Sequence, residues 1–232
     1  MKSDVKLQQD VLAELDWEPS LDAAQIGVTV RDGVVTLGGH VSVYSAKLAA
    51  EEVVKRVHGV TAVANDIEVR PAGAEHLDDA DIAAAAVHVL QWDAGVPDDR
   101  VQVTVRDRRV VLDGTVDRRH ERVAAERAVR HLKGVRGVTN HIAVRPAGGS
   151  GAPRHALRDD IQAALRRSAA LTSGRVSVDM DGHRVTLLGD VHSPAQRDEA
   201  ERIAWAARDV ATVENCITIT PWGAGPAEEW GY

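Results

Sequence analysis

The 232-residue chain has no Phe, only two Tyr and two Met, and a single cysteine. One thiol, Cys216, cannot close an intrachain disulfide, so the fold must rest on apolar burial and not on a disulfide framework. Cys216 stands among apolar strand residues, which predicts burial, and no motif around it points to a nucleophile or redox centre. Long apolar runs are also missing. Residues 1–16 alternate charges with isolated apolar positions and hold no stretch of signal-peptide or membrane-span length, so the chain is expected to stay in the cytoplasm. Lys2 occupies the position where N-myristoylation requires Gly, and no prenylation Cys stands at the C-terminus.

Positive charge is in deficit, with 28 Lys and Arg against 35 Asp and Glu and a formal net charge of -7. This balance argues against broad, sequence-independent nucleic-acid binding, which depends on cations replacing phosphate counterions. The deficit is uneven: 7 cations against 12 carboxylates in residues 1–75, 12 against 11 in 76–150, and 9 against 12 in 151–232. The ten His residues fall in no paired His or Cys spacing, so no metal site is expected. No acid, base and nucleophile set assembles either, which predicts a non-enzymatic protein without a cofactor.

What the chain does have is one motif written three times at a spacing of 75 residues. Val35, Leu37, Gly39 and Val41 return as Val110, Leu112, Gly114 and Val116, and again as Val185, Leu187, Gly189 and Val191. Val60, Val63, Asn65, Ile67 and Pro71 return as Val135, Val138, Asn140, Ile142 and Pro146, then as Val210, Val213, Asn215, Ile217 and Pro221. The boundaries drawn from this are residues 1–72, 76–147 and 153–222 for the three copies and 223–232 for an aromatic C-terminal tail. Units this small sit near the lower end of independently folding domains. Arg70 to Glu75 is a short linker, whereas Arg145 to Pro153 includes Gly148, Gly149, Ser150 and Gly151, so the third copy is expected to move more freely than the first two.

Within a copy, hydrophobic period assigns the elements. Leu7, Val11, Leu12 and Leu15 form one helical stripe, matched by Ile82, Ala86, Val87 and Leu90 and by Leu157, Ile161 and Leu165. Alternation then takes over through Val28 and Val30 into Asp32–Gly33 and out through Val35, Leu37 and Val41, a hairpin with one buried face. The second copy has Asp107–Arg108 at the turn and the third has Asp181–Gly182 one place earlier, so the turn geometry is expected to differ between copies. Ala46, Ala49, Ala50, Val53, Val54 and Val57 mark a second helix, and in the third copy Ser193, Pro194 and Gln196 predict a capping box with Pro at the first helical position. A last strand alternates Ile67 and Val69 with Asp66 and Glu68. The predicted fold class is α+β: three tandem αββαβ units, each a three-stranded mixed sheet covered on one face by two helices, the other face left open.

The Val-x-Leu-x-Gly-x-Val strand and the Gly-Val-x-x-Val-x-Asn-x-Ile stretch resemble the BON domain, a bacterial module named for osmotic-shock and nodulation proteins. Gly59–Val60 and Gly134–Val135 match the second motif, while the third copy has Asp209 before Val210. The resemblance covers nearly the whole chain as three copies. It implies a non-enzymatic role: binding of phospholipid or membrane interfaces, and tolerance of osmotic and envelope stress. A relative in the cytoplasm binds potassium, so a soluble potassium-binding or protein-interaction module is the alternative implied.

Three sets of residues are candidates for function. Arg118, Arg119, Arg122, Arg127, Arg130 and Lys133 make the second copy's second helix the most basic segment, suited to anionic phospholipid headgroups, although Glu121 and Glu126 interrupt it. Trp222, Trp230 and Tyr232 in the tail could dock on an envelope-associated protein or fold back on a neighbouring copy. Gly39, Gly114 and Gly189, with Asn65, Asn140 and Asn215, form the repeat's signature. The glycines are placed at strand ends, permitting a bulge or close packing, and the asparagines are expected to bond nearby backbone, with ion ligation the weaker reading. Glu51 and Glu126, four residues before Lys55 and Arg130, are expected in exposed helical ion pairs, Trp205 replacing the cation after Glu201.

Overall fold

A computed structural model of the chain describes residues 2–71, 73, 77–145, 154–171 and 175–220. By packing, the chain divides into two compact units, residues 1–38, 50–66 and 151–232 in one and 39–49 and 67–150 in the other. The repeat survives as three sheets of one design. In the first copy these are helix α1 (Asp4–Trp17), strands β1 (Ile26–Arg31) and β2 (Val34–Val41), helix α2 (Tyr44–Arg56) and short strands β3 (Ala62–Asn65) and β4 (Glu68–Val69). The second has α3 (Asp79–Trp92), β5 (Val101–Arg106), β6 (Arg109–Val116), α4 (Arg119–Val129), β7 (Gly137–Asn140) and β8 (Ala143–Val144). The third has α5 (Arg154–Arg167), β9 (Arg175–Asp181), β10 (Arg184–Val191), α6 (Pro194–Ala206) and β11 (Thr212–Ile219).

Each second strand is central. β6 runs antiparallel to β5, with Val103 opposite Leu112, and parallel to β7, with Asn140 opposite Leu112. β10 repeats this with Val178 and Asn215 on either side of Leu187. The closing strand is split in the first two copies and continuous over eight residues in the third. Alternation places Val35, Leu37 and Val41, and their counterparts, under the helices. In the third copy Ile161, Leu165 and Leu171 meet Val185, Leu187, Val191, Ala200, Ile203 and Ile217 in one apolar core.

Four local expectations need correction. Leu12 and Val87 stand 42% and 44% exposed, because the apolar helical stripe closes through Leu7, Val11 and Leu15 and through Ile82, Ala86 and Leu90. Cys216 is exposed: its neighbours Asn215 and Ile217 take the helix side, so alternation sends the thiol to the open face, opposite Leu188, itself 43% exposed. The recurrent glycines lie within β2, β6 and β10 and not at their ends, with φ of 99°, 143° and 127°. A Cβ on Gly114 would run into the carbonyl oxygen of Arg100, the residue just before β5, and one on Gly189 into that of Arg175 at the start of β9, so close approach is the reason for glycine.

The fourth concerns the turn. Asp32 and Gly33 have φ of 50° and 78°, and Asp107 and Arg108 have 50° and 61°, so the first two copies share a left-handed pair despite different residues. A carboxylate at the start of the first helix holds it: Asp79 accepts from the amides of Asp107 and Arg108 at 2.9 and 2.8 Å, and Asp4 from those of Asp32 and Gly33 at 3.0 and 3.4 Å. The third copy, with Arg154 at that position, differs as expected, turning through Gly182 at φ 62°. Asp209 keeps the left-handed conformation of Gly59 and Gly134, with φ 64° against 104° and 92°.

Candidate functional site

The repeated asparagine is a tie between strand and crossover helix. Asn140 Oδ1 accepts from the Ile142 amide at 3.1 Å, while Nδ2 donates to Arg122 O at 3.0 Å and Glu126 Oε2 at 3.1 Å. Asn215 repeats all three bonds with Ile217, Arg197 and Glu201, and Asn65 donates to Glu51 at 3.2 Å. The glutamates therefore serve the asparagines from half-buried positions, a correction to the exposed ion pairs expected of them. The Glu51 pair with Lys55 is present at 3.0 Å, but Arg130 instead donates through Nε to His131, and Trp205 donates to Glu201 at 3.4 Å. Burial works against the charge of Lys55, yet its hydrogen bonds to Asp198 and Glu51 outweigh this and hold its ammonium above the ordinary lysine value.

A third repeat position completes the tie. Lys47, Arg122 and Arg197 donate to the carbonyls of Ile67, Asn140 and Asn215 at 2.8, 3.0 and 3.3 Å. Arg122 is thus engaged within its own copy. The N-terminus of α6 follows its motif with one shift: Ser193 accepts from the Gln196 amide, and Pro194 opens the helix, but the Gln196 side chain reaches the His192 amide, one residue before the cap.

α4 buries Ala125 and Val129 against its sheet and turns Val123, 47% exposed, outward. Arg118, His120, Arg127, His131 and Lys133 are exposed along the segment, Arg119 and Arg130 half-buried. Glu121 caps the helix by accepting from the amides of Asp117 and Arg118 at 3.0 Å, so one interrupting carboxylate is consumed locally, and Asn140 engages the other, Glu126. Desolvation, then the neighbouring Arg130 and Arg127, hold His131 below the ordinary histidine value, which favours its neutral ring. Trp222, Trp230 and Tyr232 lie outside the described residues, as does most of the 145–153 linker.

Two exposed aromatics escaped the sequence reading. Trp17 and Trp92 close α1 and α3 one repeat apart, 83% and 77% exposed, and Trp92 meets the tilted ring of His88 at 5.8 Å. Their recurrence was the available signal. Among the described residues no group of His, Cys, Asp and Glu could hold a metal ion, and no helix is long and apolar enough to cross a membrane. An open depression of about 680 Å³ lies between Asp79 and Arg108, but the Asp79 carboxylate is already committed to the turn amides.

Osmotically-inducible protein Y of Escherichia coli (strain K12) is 31% identical over 144 residues, covering 60% of this chain and 71% of that protein. CdsD, a structural protein of the Type III secretion system of Chlamydia trachomatis, matches 93% of this chain and 93% of its own at 14% identity with a TM-score of 0.26. Its C-terminal domain gives 13% identity and 0.25 over 95% of this chain and all of that one, scores too low to carry an inference. Residues 3–71, 78–146 and 154–221 each match the BON domain, and the chain belongs to that family as three tandem copies.

Proposed function

We propose that the protein is a non-enzymatic docking protein of the osmotic stress response, peripheral at an anionic phospholipid surface, with the second copy's α4 as the contact. The stress role follows the similarity to the osmotically inducible relative. The observation that carries the surface reading is the outward side of α4 and its two ends, where Val123 and Arg127 are exposed on the helix, Arg118 at its N-cap and Lys133 just beyond its C-terminus. Each such cation contributes about 1 kcal/mol near an anionic leaflet, so three give a weak, reversible association that salt screens. Arg122 is discounted because its guanidinium is held on Asn140 O.

A monovalent cation held by backbone carbonyls has less support. In and beside the closing strands, the carbonyls of Ile67, Asn140 and Asn215 already accept from Lys47, Arg122 and Arg197. Co-sedimentation with anionic and neutral vesicles across a salt series tests the proposal, comparing wild type with R118E/R127E/K133E. Pelleting with anionic vesicles that fades with salt and is lost in the variant is expected; equal pelleting of the two proteins, or none by the wild type, overturns it.

A further inference from the structure

Single apolar residues on a surface need no explanation, but the largest side chain, exposed at one repeat position in two copies, does. Trp17 and Trp92 occupy equivalent helix ends and stand outside the buried core, so core packing does not account for their recurrence. The helix ends they occupy are acidic. Glu14 and Asp16 stand beside Trp17, Asp93 follows Trp92, and neither helix has a basic residue in its last turn. Each indole therefore sits at the negative end of a helix dipole that no cation of that helix offsets. In the third copy Arg167 stands at this position, so the feature belongs to the first two.

The same chain offers the complement. Residues 118–133 hold six cations against two carboxylates, with Val123 and Arg127 exposed on one side of α4. Trp and Arg are both enriched among the residues that carry interface binding energy, and an arginine over an indole face is attracted by the ring quadrupole. We infer that the chain self-associates, the Trp17 or Trp92 helix end of one chain seating on the Val123–Arg127 face of another chain. The two surfaces differ, so the contact is heterologous and does not close on a dimer, and oligomers lengthen with concentration. This goes beyond the membrane reading and is measured without lipid.

Sedimentation velocity of the full chain over about a hundredfold concentration range, at salt giving Debye lengths of about 10 Å and about 3 Å, tests it. The expected result is a sedimentation coefficient that rises with concentration at low salt, rises much less at high salt, and stays at the monomer value for W17A/W92A. Removing side chains this exposed should leave the circular dichroism spectrum unchanged; if that variant misfolds, R127E reads the opposite surface and should also stay monomeric. A wild type that is monomeric throughout, or variants that associate as it does, overturns the inference.

Discussion

Replacing Asn140 with Ala should loosen the second copy without touching its apolar core. The substitution removes three hydrogen bonds at once, from the Ile142 amide and to Arg122 O and Glu126. At about 1 kcal/mol each these would cost about 3 kcal/mol in a dry site. Asn140 is half-buried and water recovers part, so a loss of about 2 kcal/mol, roughly thirtyfold in the local opening constant, is expected. Glu126→Ala breaks only one of the bonds and should cost less than half as much. Asn140→Asp keeps an acceptor for Ile142 but loses both donated bonds and sets a carboxylate against Glu126, so at neutral pH it should be at least as costly as Ala. Native-state hydrogen exchange read by mass spectrometry on the full chain resolves the copies. Faster exchange confined to α4, β7 and β8 is expected; a change below about 0.5 kcal/mol, or one spread evenly over three copies, refutes the tie.

Other consequences follow from single positions. Asp209→Gly relieves a left-handed non-glycine residue at a cost in unfolded-state entropy, for a net gain of about 0.5 kcal/mol in the third copy, seen as slower exchange in β10 and β11. Cys216 should react with a thiol reagent in the native protein nearly as fast as in denaturant, where a buried thiol would wait for unfolding. The carboxyls of Asp10, Glu68 and Glu199 are held below their ordinary values chiefly by hydrogen bonds from Lys2, Arg70 and Arg202, and that of Glu18 chiefly by one from Ser20. A depressed carboxyl stabilises above its unfolded value and loses this as pH falls through its folded value, so the melting temperature should hold to about pH 5 and drop below it, less steeply in Glu199→Gln.

The fold was legible because its signal is repeated three times. Val35, Leu37 and Val41 and their counterparts alternate where the sheet meets the helices, and Leu7, Val11 and Leu15 recur at helical spacing where α1 packs. What escaped depends on partners distant in sequence or on which side an element faces. Asn140 and Glu126 lie 14 residues apart on different elements, and only the strand-to-helix crossover brings them within 3.1 Å. Glu126 therefore looked like a partner for Arg130, four residues along the same helix. Asp79 reads as an ordinary helix-start carboxylate until the hairpin turn, 28 residues on, is seen to lean on it. Cys216 could have been placed outward from strand alternation alone, had its apolar neighbours weighed less. The basic segment was visible as composition, but only side-chain geometry separates Arg122, bonded inward, from Arg127, turned outward.

The most direct test of the membrane reading asks which face meets the lipid. In a C216S background, Val123→Cys carries an environment-sensitive dye on α4; the wild-type Cys216 carries the same dye on the open sheet face of the third copy. Anionic vesicles at low salt should shift the emission of the dye at 123 toward that of an apolar environment and leave the dye at 216 unchanged, with neutral vesicles shifting neither. A shift at 216 alone, or none at 123, would contradict the assignment of α4 as the contact.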